Sequence, residues 1–170
     1  EAINNCDIEA LGFSRDFSVF LKQSDYIFKF FLETATQYVD FDQLLQYDTY
    51  ALYSDHLEIL KKIYQNYTNI LEQNNFTDNI LLPSAYKLNK QYITQYDTIN
   101  IAIDGYLTKF EYMIIQDIAK YCDVVIDISF NQYNTKNFVL FNLQEELEIG
   151  YKYSINITTN KIIKKQQIKQ

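Results

Sequence analysis

Two short runs of β-branched residues, joined by a stretch with helical periodicity, constrain the fold of this chain most strongly. The first run, TINIAID, covers residues 98–104, and the second, DVVIDISF, covers residues 123–130. Each has the length and composition of a buried strand. Between them, Thr108 and Glu111 form the T-x-x-E pattern of a helix start, and this helix is predicted to continue to about Tyr121. A strand, a helix and a strand at this spacing predict a β-α-β unit with parallel strands.

The first half of the chain is predicted to be helical. Apolar residues recur at three- and four-residue spacings over residues 16–38 and 48–73, and a short helix is predicted over 40–46. A further short helix is expected from Ser84 to about Tyr96. The chain contains only 3 Gly and 1 Pro, which favours long helices with few tight turns.

After the second strand the pattern is less regular. Residues 137–148 are ambiguous and favour a helix that ends near Gly150, whereas residues 151–159 alternate and predict a strand. The last ten residues, KIIKKQQIKQ, are expected to form a frayed, lysine-rich tail. The predicted fold class is α/β, with a helical lobe followed by a small parallel β-α-β sheet. The predicted boundaries are 1–96 for the helical lobe, 97–160 for the α/β lobe and 161–170 for the tail.

Charge and glycine content exclude several classes of function. The formal net charge is −7 and the pI is about 4.7, so the chain as a whole lacks the basic surface of a nucleic-acid-binding domain. Gly12, Gly105 and Gly150 lie too far apart for a Walker A loop or a G-x-G-x-x-G turn. No apolar run reaches the roughly 18 residues that a membrane span requires, so no membrane association is expected.

The two cysteines and the start of the chain indicate its context. Cys6 and Cys122 match no C-x-x-C pattern and lack a nearby His, so they are interpreted as free, unreactive thiols in a reducing cytoplasm. The chain begins at Glu1, in the middle of a pattern, and is interpreted as an excised piece of a longer protein.

Asp104 is the residue that most suggests chemistry. It ends the first predicted parallel strand, at the edge where such sheets bind ligands, and the Walker B Asp of ATPases helps to hold Mg²⁺ at that place. The signal is weak by itself because many strands of α/β folds end in Asp. Glu111 is interpreted as part of the helix cap and Asp123 as a turn residue. Asp127 interrupts an apolar run, and it either emerges at the strand end or pairs with a neighbour.

Three other groups of residues favour structural roles. His56 is the only histidine and is expected on a helix surface or at an interface, because zinc sites use several His or Cys ligands. A tyrosine stripe could stack nucleic-acid bases, but its helical spacing is more typical of a core. The C-terminal lysines could contact phosphates, but a solvated tail is the simpler interpretation. The stripe comprises Tyr50, Tyr53, Tyr64 and Tyr67, and the lysines are Lys161, Lys164, Lys165 and Lys169.

Four stretches of the chain occur together in a familiar order. They are SDYIFKFFLE (24–33), YDTYALYSDHLEILKKIYQNY (47–67), ILLPSAYKLN (80–89) and INIAIDGYLTKFEY (99–112). Together they resemble the N-terminal region of AddB-like helicase–nuclease subunits, particularly divergent bacterial forms. The resemblance covers residues 17 to 160, approximately, and it depends on pattern and order rather than on an invariant motif.

The resemblance implies a non-catalytic role for this chain. AddB-like proteins resemble superfamily I helicases in their N-terminal half, end in a nuclease domain, and process double-stranded DNA ends for recombinational repair. By this resemblance INIAIDGYLTKFEYMIIQDIA is a Walker B strand with its following helix, and Asp104 matches the metal-binding acid. Gly105 stands where an active helicase carries Glu, so Asp104 is expected to be vestigial.

The same resemblance implies the partners and excludes bound groups. The chain is expected neither to hydrolyse ATP nor to cut DNA, and no catalytic residue, metal or cofactor is assigned to it. The implied partners are a helicase–nuclease subunit and, through the full-length parent, double-stranded DNA ends in the cytoplasm.

Two alternatives remain open at this point. The acidic charge and the aromatic helices are also typical of a self-contained protein-interaction domain with no DNA role. Asp104 and Asp127 could instead serve a small Mg²⁺-dependent phosphotransfer or receiver-like domain. That second alternative requires both carboxylates at neighbouring strand ends, within several ångströms of each other.

Overall fold

The computed structural model of the chain describes residues 1–47, 53–135, 141, 143 and 147–168. It separates into two units, Glu1–Tyr86, which is helical, and Lys87–Gln170, which contains the sheet. The chain is therefore α/β, as the sequence predicts. The division falls at Tyr86 rather than at residue 96, so the short helix that precedes the first strand belongs to the second unit.

Apolar periodicity forms three helices in the first unit. These are α1 (Phe17–Thr36), α2 (Phe41–Tyr47) and α3 (Ser54–Gln73). Asp16 caps α1, since its side chain accepts a hydrogen bond from the backbone N–H of Val19. The predicted positions of all three helices are confirmed, except that the expected start of α3 at residue 48 lies outside the described residues.

Aromatic side chains form the centre of the helical unit. Phe31 of α1 is buried and packs edge-on against Tyr64 of α3, with ring centroids 5.1 Å apart. Phe41 of α2 completes the cluster, with its ring centroid 6.2 Å from that of Phe31 and 5.6 Å from that of Tyr64. Edge-to-face contacts of this kind add to the free energy of area burial. Tyr64 is half-buried and packs against the core of this unit, as its spacing predicts, and burial raises the pKa of its hydroxyl.

The connection from α3 to the sheet consists of short elements, so the prediction of one helix from Ser84 to Tyr96 is wrong. Tyr86 takes an extended conformation that ends one short helix, and the Asn89 side chain then caps the next by accepting from Tyr92 N–H. The elements are a 3₁₀ turn (Asn79–Leu81), α4 (Leu82–Ala85) and α5 (Lys90–Ile93).

The second unit contains the predicted β-α-β arrangement. Its elements are β1 (Thr98–Ile103), α6 (Lys109–Ile118), β2 (Asp123–Phe130), β3 (Tyr151–Asn156) and β4 (Lys161–Gln167). The strands lie in the order β1-β2-β3-β4, and β1 pairs with β2 in parallel, as predicted. Because β3 is antiparallel to both β2 and β4, the sheet is mixed rather than wholly parallel.

The lysine-rich segment is a strand, so its prediction as a frayed tail is wrong over 161–167. β4 pairs with β3 along its length, and most of its side chains are exposed. An edge strand of this kind contributes backbone hydrogen bonds and buries little side-chain area. Its sequence therefore shows no alternation of apolar and polar residues from which the strand could be predicted. Asn160 reverses the chain before β4 with φ of 54°, a conformation that Asn tolerates.

One face of the sheet is covered and the other is open in the described chain. Val124, Ile126 and Ile128 of β2 are buried and belong to one cluster with Ile115 of α6, whereas the alternate residues of β2 are partly or fully exposed. The strands predicted to be buried are therefore buried on one face only. The predicted helix over 137–148 falls mostly on residues outside the described ones.

Candidate functional site

Asp104 lies where the sequence places it, directly after β1 at the carboxyl end of the parallel pair. It is exposed, as is Ala102 two residues earlier, whereas Ile103 between them is buried. Since side chains alternate along a strand, Asp104 falls on the open face of the sheet. The carboxylate is thus presented at a strand end and is not part of the core.

Gly105 turns the chain away from the strand and determines which residue can follow Asp104. Its φ is +119°, a conformation that residues with a side chain rarely adopt. A Cβ built at this position would meet nothing within 4 Å. The backbone conformation, and not a lack of space for a side chain, therefore favours Gly at position 105. A Glu at this position would strain the turn.

Glu111 is occupied by the helix cap, which confirms the interpretation of the T-x-x-E pattern. Its Oε2 accepts hydrogen bonds from Thr108 N and Thr108 Oγ1, each 2.8 Å long, and Thr108 Oγ1 accepts from Glu111 N at 3.2 Å. The Glu111 carboxylate satisfies the backbone N–H of Thr108, and the Thr108 hydroxyl satisfies that of Glu111. The cap of α6 therefore fixes the orientation of the Glu111 carboxylate, and that orientation does not depend on β1 or on Asp104.

A shallow concavity of about 320 Å³ lies on the open face of the sheet and contains both candidate carboxylates. Asp104 and Asp127 line it together with Ser154 of β3 and the lysines Lys152 and Lys164. The two carboxylates therefore share a face. Neither lysine forms an ion pair within the described chain. The concavity therefore contains two carboxylates and two ammonium groups.

Asp127 does not emerge at the end of its strand, and the other prediction for it, pairing with a neighbour, is confirmed. It lies opposite Ala102 of β1 and opposite Ser154 of β3, three residues before β2 ends at Phe130. Ser154 Oγ donates a hydrogen bond of 2.5 Å to Asp127 Oδ1. One carboxylate of the concavity thus lies at a strand end and the other lies within a strand. Among the described residues, no group of three or more His, Cys, Asp or Glu side chains could hold a metal ion.

The C-terminal lysines occupy both faces of β4. Lys164 lines the concavity, whereas Lys165 forms an ion pair with Glu148 and lies 4.5 Å from the ring centroid of Tyr151. The hydrogen bond to Glu148 raises the pKa of Lys165 most strongly. Lys165 is therefore engaged within the fold, and Lys169 lies outside the described residues.

His56 and the tyrosine stripe belong to the helical unit. His56 is half-buried on α3 with its ring centroid 6.3 Å from that of Tyr53, which is exposed. Tyr67 contacts Phe28 edge-on, and its hydroxyl donates to Asp78 Oδ2 at 3.0 Å. The prediction of a core stripe is thus right for Tyr64 and Tyr67 and wrong for Tyr53. Tyr50 lies outside the described residues.

The thiols lie in different units. Cys6 is buried in the core of the helical unit, and Cys122 is half-buried directly before β2. Burial raises the pKa of the Cys122 thiol, and the neighbouring Asp123 raises it further. A raised pKa leaves less thiolate at neutral pH, so Cys122 has the electrostatics of a structural thiol rather than of a nucleophile.

Sequence reasoning missed Lys152 and Ser154, and it placed Lys164 in a solvated tail rather than at the concavity. The alternation over 151–156 places Lys152 and Ser154 on one face of β3, and this signal was present in the sequence. The pairing of β3 with β2, which brings that face beside Asp127, is a non-local contact that no local pattern specifies.

None of the described helices of the chain is both long and apolar enough to cross a membrane. Comparison with protein-family models, with curated proteins and with solved structures gives no match.

Proposed function

We propose that this chain is a non-catalytic, helicase-like part of an AddB-like subunit that acts in the repair of double-stranded DNA ends. The observation that carries the proposal is the turn from Asp104 to Gly105 at the carboxyl end of a parallel strand. A Walker B acid occupies this position in nucleotide-driven motors. Here the next residue has a φ of +119°, so the backbone favours Gly where a hydrolytic Glu would stand.

The surroundings of Asp104 support a scaffold role. The nearest carboxylate along the chain, Glu111, is engaged in the cap of α6, and Asp127 accepts a hydrogen bond from Ser154. The concavity also contains Lys152 and Lys164, whose positive charges oppose the binding of a cation beside Asp104. The β1–α6–β2 unit then serves to hold neighbouring parts of a motor domain in place, with β3 and β4 as antiparallel additions.

The proposed context is a bacterial cytoplasmic complex. The partner is a helicase–nuclease subunit, which supplies ATP hydrolysis and strand cleavage, and the parent protein engages double-stranded DNA ends. The four stretches that resemble AddB-like proteins support this assignment, since they occur in order on both units.

A pair of variants in the full-length parent, assembled with its partner, tests the proposal. Asp104→Asn keeps the shape of the side chain and removes its charge, so ATP-dependent DNA-end degradation should stay within about two-fold of the wild type. Ile126→Asp places a charge in the centre of the sheet, where the native side chain is fully buried, and should prevent assembly of the complex.

Two results would contradict the proposal. A loss of ATP hydrolysis of about 100-fold in Asp104→Asn would make Asp104 a catalytic metal ligand. Normal assembly and normal DNA-end processing in Ile126→Asp would remove any role of this unit in the complex and would favour a protein-interaction domain without a DNA role.

A further inference from the structure

An open apolar groove runs between α1 and α3 in the helical unit. It has a volume of about 430 Å³. The groove is lined by Phe17, Phe20, Ile27, Phe28 and Phe31 of α1, by Ile63, Tyr67 and Ile70 of α3, and by the N-terminal residues Glu1, Ala2 and Ile3. Ser24 also lines the groove, and its hydroxyl donates to the carbonyl oxygen of Leu21. The lining is thus mainly apolar, and Glu1 is the charged residue in it.

A stripe of exposed apolar residues extends one wall of this groove along α1. Phe17, Leu21, Phe28 and Leu32 are 75%, 59%, 42% and 38% exposed. With about 100° of rotation per residue, these four positions fall within roughly 60° of one another on the helix. The stripe therefore continues for about four turns, or roughly 22 Å. Large side chains exposed in a row of this kind mark an interaction surface.

The charge around the groove is acidic. Residues 1–86 contain 13 Asp and Glu and 5 Lys and Arg, a formal charge of −8. Asp16 caps α1 and directly precedes Phe17, which lines the groove. Asp78 accepts a hydrogen bond from the hydroxyl of Tyr67, which also lines the groove. The exposed Asp25 lies beside the stripe, roughly 40° around the helix from Leu21.

The basic residues of the helical unit do not offset this charge at the groove. Arg15 pairs with Glu9, Lys61 pairs with Asp42, and Lys62 donates to the carbonyl oxygen of Asn5. The two others, Lys22 and Lys29, lie roughly 160° and 180° around α1 from Phe20, which lines the groove, whereas Lys29 lies roughly 60° from Leu32 of the stripe.

We infer that this groove is a docking site for a basic, amphipathic helix of a partner protein. An apolar groove between two helices accepts the apolar face of a third helix, with anchors spaced by one turn. The acidic surroundings select positive charge on the partner's exposed face and raise its association rate. The helical unit of a second copy carries the same charge of −8, so repulsion disfavours a second copy of the chain as the occupant. This inference does not depend on the AddB-like proposal, because it uses only the packing and the charges of the helical unit.

Two synthetic peptides probe the site on the full 170-residue chain. The first is an 18-residue helix with Leu or Phe at every third or fourth position and Lys on the remaining face, and the second carries Glu in place of each Lys. Fluorescence anisotropy should show that the basic peptide binds at least about ten-fold more tightly than the acidic one. Its dissociation constant should rise as salt increases from 50 to 300 mM, because salt screens the attraction.

Matched variants on α1 locate the binding surface. Leu21→Ser alters an exposed residue of the stripe, so the fold is kept, and affinity for the basic peptide should fall about ten-fold. Tyr26→Ser is the control, because Tyr26 is 71% exposed on the same helix and roughly 180° from Phe17. Tyr26→Ser should bind the basic peptide as tightly as the wild type does. Circular dichroism should show equal helix content in the wild type and in both variants.

Three outcomes would overturn the inference. Equal affinity for the two peptides would remove the charge selection, and equal effects of Leu21→Ser and Tyr26→Ser would place binding elsewhere. A wild-type dimer in sedimentation equilibrium that Leu21→Ser dissociates would identify the occupant as a second copy of the chain.

Discussion

Ser154 Oγ lies 2.5 Å from Asp127 Oδ1, and the two residues face each other across β3 and β2 on the open side of the sheet. Their backbones are a register pair, so the hydrogen bond is fixed by strand pairing. The bond gives the Asp127 carboxylate a hydrogen-bond donor within the fold. Asp104, at the end of β1, has no such bond to another strand among the described residues, so the two carboxylates of the open face differ in their surroundings.

The first prediction concerns the energy of that pair. Ser154→Ala should lower the free energy of unfolding by less than about 1 kcal/mol, because an exposed hydrogen bond exchanges with water. Ile155 is the next residue along β3, and it is fully buried on the covered face. Ile155→Ala should therefore lower the free energy of unfolding by about 2–5 kcal/mol. Urea unfolding of both variants measures the difference. Equal losses would mean that the open face is covered in solution.

The second prediction concerns the cap of α6. Thr108→Ala and Glu111→Ala each remove one half of the capping box and should cost about 1 kcal/mol in unfolding free energy. Glu111→Gln keeps an acceptor for Thr108 N–H and should lose less than Glu111→Ala. If Glu111→Gln were as destabilising as Glu111→Ala in urea unfolding, the charge rather than the hydrogen bond would stabilise the helix start.

The third prediction concerns the turn after Asp104. Gly105→Ala and Gly105→Glu should each cost about 1–3 kcal/mol, because both force a residue with a Cβ to φ of +119°. The two losses should be similar, since nothing lies within 4 Å of the added Cβ. Thermal and urea unfolding measure them. A much larger loss for Gly105→Glu than for Gly105→Ala would point to crowding and not to the backbone.

The fourth prediction concerns Tyr67 at alkaline pH. Burial and the hydrogen bond to Asp78 raise the pKa of Tyr67 to about 12, whereas tyrosine in an unfolded chain titrates near 10. The folded state therefore prefers the protonated phenol. This contribution is complete below about pH 10 and is lost as pH rises toward 12.

Unfolding measurements at pH 8, 10 and 11 test this dependence. Tyr67→Phe should lose less stability than the wild type between pH 10 and 11, because it has no phenol to ionise. Tyr64 and Tyr112 also have pKa values raised by burial, so part of the wild-type slope should persist in the variant. Tyr26→Phe controls for the removal of an exposed hydroxyl. An unchanged slope in Tyr67→Phe would contradict the assignment.

Local sequence patterns specified several helices and the parallel strand pair. The three- and four-residue spacing of apolar side chains predicted α1 and α3, because a helix buries one stripe. Thr108 and Glu111 predicted the start of α6, because both partners of a capping box lie within one turn. The length of the crossover from β1 to β2 predicted parallel pairing, which the register from Thr98 and Asp123 onward confirms.

Non-local contacts decided the rest. The pairing of β4 with β3 stabilises a lysine-rich segment through backbone hydrogen bonds, and these leave little trace in side-chain pattern. Tyr53 and Tyr67 belong to the same helical stripe, but Tyr53 is 61% exposed whereas Tyr67 is half-buried. Tyr67 contacts Phe28 and Asp78, which come from other segments of the chain.

The sequence by itself determined α1, α2, α3, the β-α-β unit and the position of Asp104 at a strand end, since each depends on residues close together in the chain. Only the tertiary structure decided that Asp127 pairs with Ser154, that Lys152 and Lys164 share its face, and that α1 leaves an apolar stripe exposed beside α3. The physical reason is that periodicity shows which side chains share a face, whereas the packing of distant segments decides which faces are covered.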